Sequence, residues 1–186
     1  RDLSEIYDAI EDNVLPQLRK STIIIRSYQP KRTDAEIAEL STTKPEELTV
    51  NELLFSATLT DNIETKLSIY QKAVELHNDW RGYNNIACLG MVAYLNDGDG
   101  FKNILSSLNK AEEIGGATND ILTNKGIMAA WAGELTKAQK LFDKGNATEY
   151  NQAILDIRQG EYAKAARFFK NKKSYNATLS QLLNGV

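Results

Sequence analysis

The sequence predicts an all-α protein in which helical hairpins stack on one another, and three observations favour this fold class. Small and apolar residues recur at helical spacing on both sides of Gly133 within residues 119–144, as in two helices joined by a turn. A similar pattern follows around Gly160. Outside residues 22–28, no segment has the pattern of a strand. Because one such hairpin cannot bury its apolar face alone, hairpins in series are expected to stack into a solenoid.

Length and composition are those of a globular protein. The chain has 186 residues, of which 42% are hydrophobic and 25% charged, enough for one well-packed domain with a small appendage. A net charge of −3 argues against nucleic acid as the main partner, since phosphate binding requires concentrated positive charge. No apolar run approaches the roughly 18 residues that a membrane-spanning helix needs. Neither an initiating Met nor a basic-then-apolar leader is present, so we expect a piece of a longer protein or a processed product.

The first 29 residues combine two types of pattern. Apolar residues at helical spacing predict an amphipathic helix over residues 2–20, which Pro16 should kink. From Thr22 to Tyr28 the residues are β-branched and aromatic, which favours a strand. A lone strand could lie irregularly against the helices, fray in water, or pair with another copy. We favour a homodimer through Thr22 to Tyr28, because antiparallel pairing satisfies the backbone of both copies.

Residues 30–46 contain Pro30 and Pro45 and are predicted to be a linker with one short helix. Thr33 and Glu36 have the spacing of a capping box. The same spacing recurs at Thr49 and Glu52 and at Asp61 and Glu64, before two helices that begin the domain at residues 47–186. Further helices are predicted near residues 81–96, 101–114, 118–132, 135–144, 147–158, 161–169 and 174–183, the last as a terminal cap.

The hairpins resemble tetratricopeptide repeats. Asn124, Gly126, Gly133, Ala138 and Phe142 occupy the family's places in residues 119–144. A second copy carries Tyr150, Ala153, Gly160, Ala165 and Phe169; a looser one carries Tyr83, Ala87, Leu108 and Ala111; and a faint one carries Leu53, Leu54, Tyr70 and Ala73. Lys125, Gln152 and Asp156 stand where the family prefers apolar residues. The resemblance implies a TPR-like α-α superhelix of about four hairpins with a capping helix.

A second resemblance involves residues 10–25 and 48–85. They look like the junction between an OmpA-like envelope domain and the helical-repeat tail of some outer-membrane-associated proteins. This resemblance implies that residues 1–29 are the remnant of an upstream OmpA-like domain. It also implies a bacterial cell envelope location on the periplasmic side of the outer membrane, with the cytoplasm as the alternative.

Few residues in the sequence could support catalysis or metal binding. His77 is the only histidine, and Cys88 is the only cysteine and sits mid-helix, where an inert thiol is typical. Residues 97–100, Asp-Gly-Asp-Gly, lack the ligand pattern of a calcium loop, so we interpret them as a solvated turn. The chain is therefore expected to have no enzymatic activity, metal or cofactor. The basic cluster Lys164, Arg167, Lys170, Lys172 and Lys173 is either an anion-attracting surface or a solvated helix end.

The resemblance to tetratricopeptide repeats also implies a ligand groove lined by the first helix of each hairpin. The family's contact positions fall on Asn51, Phe55, Arg81, Asn84, Cys88, Asp120, Thr123, Ile127, Trp131, Tyr150 and Ile154. Hydrogen-bonding and aromatic side chains in such a mixture suit a peptide or protein ligand. The expected function is a non-catalytic protein-interaction scaffold. The alternative is a structural spacer or oligomerisation arm with no separate ligand.

Overall fold

The computed structural model of the protein describes residues 3–14, 24, 31–94 and 97–185, which belong to two compact units, Arg1–Arg32 and Thr33–Val186. Within the described residues the regular elements are eleven α-helices and one 3-10 helix, with no strand. The predicted all-α class is therefore confirmed. None of the described helices combines the length and the apolarity needed to cross a membrane.

The first unit contributes helix α1, Leu3–Asn13, in which no residue is buried. Its apolar positions Leu3, Ile6 and Ile10 are exposed. The predicted kink at Pro16 lies outside the described residues. So does the predicted strand from Thr22 to Tyr28, apart from Ile24, which is exposed and has no regular secondary structure. The homodimer through this segment remains a prediction.

The second unit is a series of helices joined by short connections. Its elements are α2 Asp34–Thr43, a 3-10 helix Pro45–Glu47, α3 Val50–Ser56, α4 Ile63–His77, α5 Trp80–Tyr94, α6 Gly98–Gly115, α7 Asn119–Trp131, α8 Leu135–Gly145, α9 Glu149–Gln159, α10 Tyr162–Phe169 and α11 Tyr175–Leu183. The predicted linker thus contains α2, which contributes the buried Ile37 to a core cluster with Leu53 and Ile69.

Capping side chains mark where several of the helices begin. Both Thr33 and Thr49 form the predicted capping boxes, in which a hydroxyl and a glutamate satisfy backbone donors reciprocally. The capping box predicted at Asp61 and Glu64 is wrong, because Asn62 caps α4 by accepting the backbone N–H of Thr65 at 2.8 Å. Asn and Asp cap equally well, so the helix begins one residue later than the pattern indicated.

Residues 97–100 are also placed differently from the prediction. Asp97 is the N-cap of α6 and accepts the backbone N–H of Gly100 at 3.2 Å, so the two glycines lie in the first helical turn. The interpretation as a solvated turn is therefore wrong. Glycine is unfavourable in a helix interior, but a capping carboxylate offsets that cost in the first turn.

Consecutive helices pack as pairs: α3 with α4, α5 with α6, α7 with α8, and α9 with α10. The turns within the last two pairs contain Gly133 and Gly160, as predicted, and their φ values of 82° and 81° lie in the left-handed region that glycine adopts most easily. Ala138 and Ala165 are fully buried where their helices approach the partner, which is also as predicted.

Neighbouring pairs are joined by side chains that enter the preceding pair's core. Met128 of α7 belongs to the buried cluster of Ala87, Ile104 and Leu108 between α5 and α6. Leu155 of α9 belongs in the same way to the cluster between α7 and α8. Since the last two pairs each contribute an apolar residue to the preceding core, these pairs stabilise one another in series.

Two polar departures from the repeat pattern have partners in the structure. Lys125 of α7 forms an ion pair with Glu112 of α6. Gln152 of α9 exchanges two amide hydrogen bonds, 2.8 and 3.0 Å long, with Gln139 of α8. These pairs satisfy polar groups at the helix contacts, where an unpaired one would be costly.

Candidate functional site: the first-helix face

We call the eleven predicted contact positions on α3, α5, α7 and α9 the first-helix face. The structure brings several of them together between successive helices. It places other positions of this face in contacts between packed helices. Each junction between successive first helices has its own chemistry.

An ordered arginine, Arg81, lies at the junction of α3 and α5. Asp79 caps α5 by accepting the backbone N–H of Arg81 at 2.9 Å. The same carboxylate takes two hydrogen bonds of 2.8 Å from the Arg81 guanidinium, and this pairing lowers the pKa of Asp79. The bidentate contact directs Nη1 of Arg81 to Oδ1 of Asn51 on α3, at 2.9 Å. Arg81 and Asn51 are therefore held in one geometry before any ligand arrives.

An amide and a thiol occupy the junction of α5 and α7. Nδ2 of Asn124 donates to Oδ1 of Asn84 at 2.9 Å and to Sγ of Cys88 at 3.2 Å. Burial raises the pKa of the Cys88 thiol, and the negative charge of Asp120 raises it further, although the Asn124 hydrogen bond acts in the opposite direction. A thiol in this environment stays protonated near neutral pH and is a poor nucleophile.

At the junction of α7 and α9 a cation lies over an aromatic ring. Trp131 at the end of α7 is 43% exposed. Cζ of Arg158, near the end of α9, lies 6.0 Å from the centroid of its ring, which is at the outer limit of a cation–π contact. The Trp131 side chain thus remains partly accessible while a cation of the next first helix lies over its ring.

Tyr150 on α9 is held from two sides. Its ring packs edge-to-face against Phe168 and Phe169 of α10, at centroid distances of 6.4 and 5.7 Å. Nδ2 of Asn176 on α11 donates to its hydroxyl at 2.9 Å. Although it is 45% exposed, Tyr150 is restrained at both its ring and its hydroxyl.

Four predicted positions serve the fold instead of forming an open surface. The Thr123 hydroxyl donates to the carbonyl of Gly145 on α8 at 3.2 Å. Asn84 is only 7% exposed. Ile127 and Ile154 pack against the buried clusters of their own hairpins. Phe55 and Asp120, by contrast, are exposed.

Sequence reasoning missed the residues that hold this face in place. Two of them carried a signal in the sequence: Asp79 is a carboxylate just before a predicted helix, and Arg158 is a cation near the end of one. Asn176 had no such signal. In the part of the chain that the structure describes, no three His, Cys, Asp or Glu side chains are grouped to hold a metal ion.

A comparison of the sequence with protein-family models and with curated proteins found no match in either.

Proposed function

We propose that the chain is a non-catalytic, tetratricopeptide-like scaffold whose first-helix face docks an extended peptide segment or a partner protein. The observation that supports this most strongly is the state of Trp131 and Tyr150. Both rings are partly exposed, yet each contacts a side chain from the next helix but one, Arg158 of α9 for Trp131 and Asn176 of α11 for Tyr150. Exposed aromatic residues that are already ordered are typical of binding hot spots.

Pre-ordering matters because binding must otherwise immobilise each contact side chain. That immobilisation costs roughly 0.5 to 1.5 kcal/mol for a side chain with many rotamers. Arg81 has lost its freedom already through its contacts with Asp79 and Asn51. A ligand that meets Arg81, Trp131 and Tyr150 would therefore keep more of its contact energy than one that meets flexible side chains.

The proposed setting is the bacterial cell envelope, on the periplasmic side of the outer membrane and as part of an OmpA-family protein. Its support is the resemblance of residues 10–25 and 48–85 to the junction in such proteins. A periplasmic scaffold would join its envelope domain to a second protein by the first-helix face. The cytoplasm is the alternative setting.

A second candidate function is a structural spacer or oligomerisation arm with no separate ligand. The use of Thr123 and Asn84 in contacts between helices favours it, because a groove made for a ligand would leave such groups available. Under this alternative, Trp131 and Tyr150 serve only the packing of successive helices.

A capture experiment separates the two. The full chain is immobilised and exposed to a detergent extract of a bacterial envelope, with wild type compared to Trp131→Ala, Tyr150→Ala and Tyr175→Ala. Tyr175 is the matched control, a tyrosine of α11 that is 79% exposed. The scaffold proposal expects one protein that is lost in the first two variants and kept in the third. Identical profiles for all four chains would favour the spacer.

A further inference from the structure

The larger unit has a second concave site that uses none of the first-helix face. Helices α4, α5 and α6 surround a cavity of about 360 Å³. At 3.6 residues per turn, Ile86, Leu89 and Gly90 of its wall lie across α5 from Asn84 and Cys88. The cavity is therefore separate from the proposed docking face, and a ligand could occupy it whether or not that face binds a partner.

Apolar side chains supply most of the cavity wall. The described residues that line it include Ile63, Leu67, Ile86, Leu89 and Ile104. An apolar cavity of about 150 Å³ is enough to hold a benzene ring, and ligand pockets begin at about 300 Å³. The volume here thus suits one bicyclic aromatic group or a short branched chain, and not a stretch of peptide.

The packing of α6 against α5 explains why the cavity has a floor at this point. A Cβ built on Gly90 would lie 2.7 Å from Cγ1 of Ile104, so the glycine lets that side chain lie directly on α5. Ile104 is buried there, beside Leu108 in the core. At least one wall residue of the cavity, Ile104, is consequently fixed in the core.

The charged groups of the lining have one sign. Glu64 and Asp97 are its ionisable residues in the described part of the chain, and no Lys or Arg lines it. Asp97 already accepts the backbone N–H of Gly100 as the cap of α6. Glu64, in the first turn of α4 and exposed, is the carboxylate with room to meet a ligand. Asn103 and Ser107 add hydrogen-bonding groups.

We propose that this cavity binds a small apolar amine. The hydrocarbon part enters between Leu67 and Ile104, and the ammonium group lies at the mouth beside Glu64. An anion of the same shape is disfavoured, because it would bring a second negative charge towards two carboxylates. A neutral ligand would gain the apolar contacts alone.

Three probes of similar shape test the charge requirement: 1-naphthylmethylamine as the cation, 1-naphthylmethanol as the neutral compound, and 1-naphthylacetate as the anion. Each is titrated into the ¹⁵N-labelled full chain, and amide shifts are followed by NMR. We expect saturable shifts confined to residues 63–67, 86–90 and 103–107, with the amine binding at least about fivefold more tightly than the anion.

Two kinds of variant locate the site. Glu64→Gln should weaken the amine about threefold to fivefold, the range of a partly exposed ion pair, and leave the alcohol unchanged. Glu149→Gln, an exposed acidic residue in the first turn of α9, is the control and should change neither. Ser107→Trp should block all three probes, because its indole would occupy the space that their naphthyl group needs. Asn103→Trp, at an exposed position, should block the mouth if Ser107→Trp does not fold.

Several results would overturn the proposal. Equal affinities for amine and anion would remove the charge requirement. Equal effects of Glu64→Gln and Glu149→Gln would mean that Glu64 does not meet the ligand. Shifts that lie outside the three segments, or binding that survives a folded blocking variant, would place the ligand elsewhere. The absence of shifts with every probe would show that the cavity takes no ligand of this class.

Discussion

The tightest helix contact in the α7–α8 pair provides a sharp test of the packing. Gly126 of α7 lies under the ring of Phe142 of α8, and a Cβ built on Gly126 would overlap that ring and lie 3.3 Å from Cβ of Leu141. Phe142 is 3% exposed and belongs to a cluster with Ala138 and Leu155, so its ring has little room to move. Gly126→Ala should therefore destabilise the protein.

Two opposing effects set the size of the change. Replacing glycine by alanine inside a helix stabilises it by roughly 0.8 to 1 kcal/mol. Overpacking a filled core costs roughly 1 to 3 kcal/mol, and the contact with a buried aromatic ring favours the upper part of that range. We expect a net loss of about 1 to 2 kcal/mol, which for a unit of this size lowers the melting temperature by about 2 to 8 °C.

Urea unfolding followed by circular dichroism measures the change, with Gly98→Ala as the matched control. Gly98 is also helical, but a Cβ built there meets nothing within 4 Å, so the control should be unchanged or more stable. Phe142→Leu should relieve the clash, so the double variant with Gly126→Ala should lose less than the sum of the single losses. A Gly126→Ala protein as stable as its Gly98→Ala counterpart, or additive losses, would refute the close approach.

Three further predictions concern single side chains. Ala138→Leu should lower the free energy of unfolding by roughly 1 to 3 kcal/mol, measured by urea titration, because the site has no space for three more carbons. Pairing with Arg81 lowers the pKa of Asp79 in the folded protein. The carboxylate therefore stabilises the fold fully above its unfolded-state pKa near 3.8, and this stabilisation is lost as the pH falls through the folded-state pKa. The difference in unfolding free energy between wild type and Asp79→Asn should accordingly shrink below about pH 4. Asp120→Asn removes a charge that raises the pKa of Cys88, so the thiol should react faster with iodoacetamide at pH 8.

Each of these three predictions has a control variant and an outcome that would contradict it. Ala163→Leu, at an exposed position of α10, should leave stability within about 0.5 kcal/mol; a similar loss at both alanines would contradict the packing of Ala138. For Asp79, the control is the same Asp79→Asn comparison in an Arg81→Gln background, where the guanidinium partner is absent and the change with pH should be smaller; a stability difference that stays constant with pH in the wild-type background would contradict the ion pair. For Cys88, Asp156→Asn is the control, and an unchanged rate in Asp120→Asn would mean that the carboxylate is not near the thiol.

Local signals made much of the fold predictable. Gly133 and Gly160 marked inter-helix turns because a left-handed residue is most easily a glycine, and Thr33 and Thr49 marked helix starts through capping boxes. The start of α4 was missed because Asp61 and Asn62 are equally good caps, and only the position of the helix against its neighbours selects one.

The candidate site was less predictable because its contacts join residues distant in the chain. Asn124 and Asn84 are 40 residues apart, and Tyr150 and Asn176 are 26 apart. Helical spacing places a side chain on a face, but it does not reveal which side chain of another helix meets it. Thr123 is an example: its position on the helix face was predicted, but the sequence did not reveal that its hydroxyl donates to a backbone carbonyl of α8.

We propose above all that ordered aromatic residues of the first-helix face bind a protein segment. The most direct test is the dissociation constant, by isothermal titration calorimetry, of a synthetic segment of the captured envelope protein for wild type, Trp131→Ala, Tyr150→Ala and Tyr175→Ala. If Trp131 and Tyr150 are binding hot spots, each alanine substitution should lower the binding free energy by at least about 2 kcal/mol, or the affinity roughly 30-fold. The affinity of Tyr175→Ala should stay within about threefold of wild type. Equal affinities for all four proteins, or an equal loss in all three variants, would contradict the account.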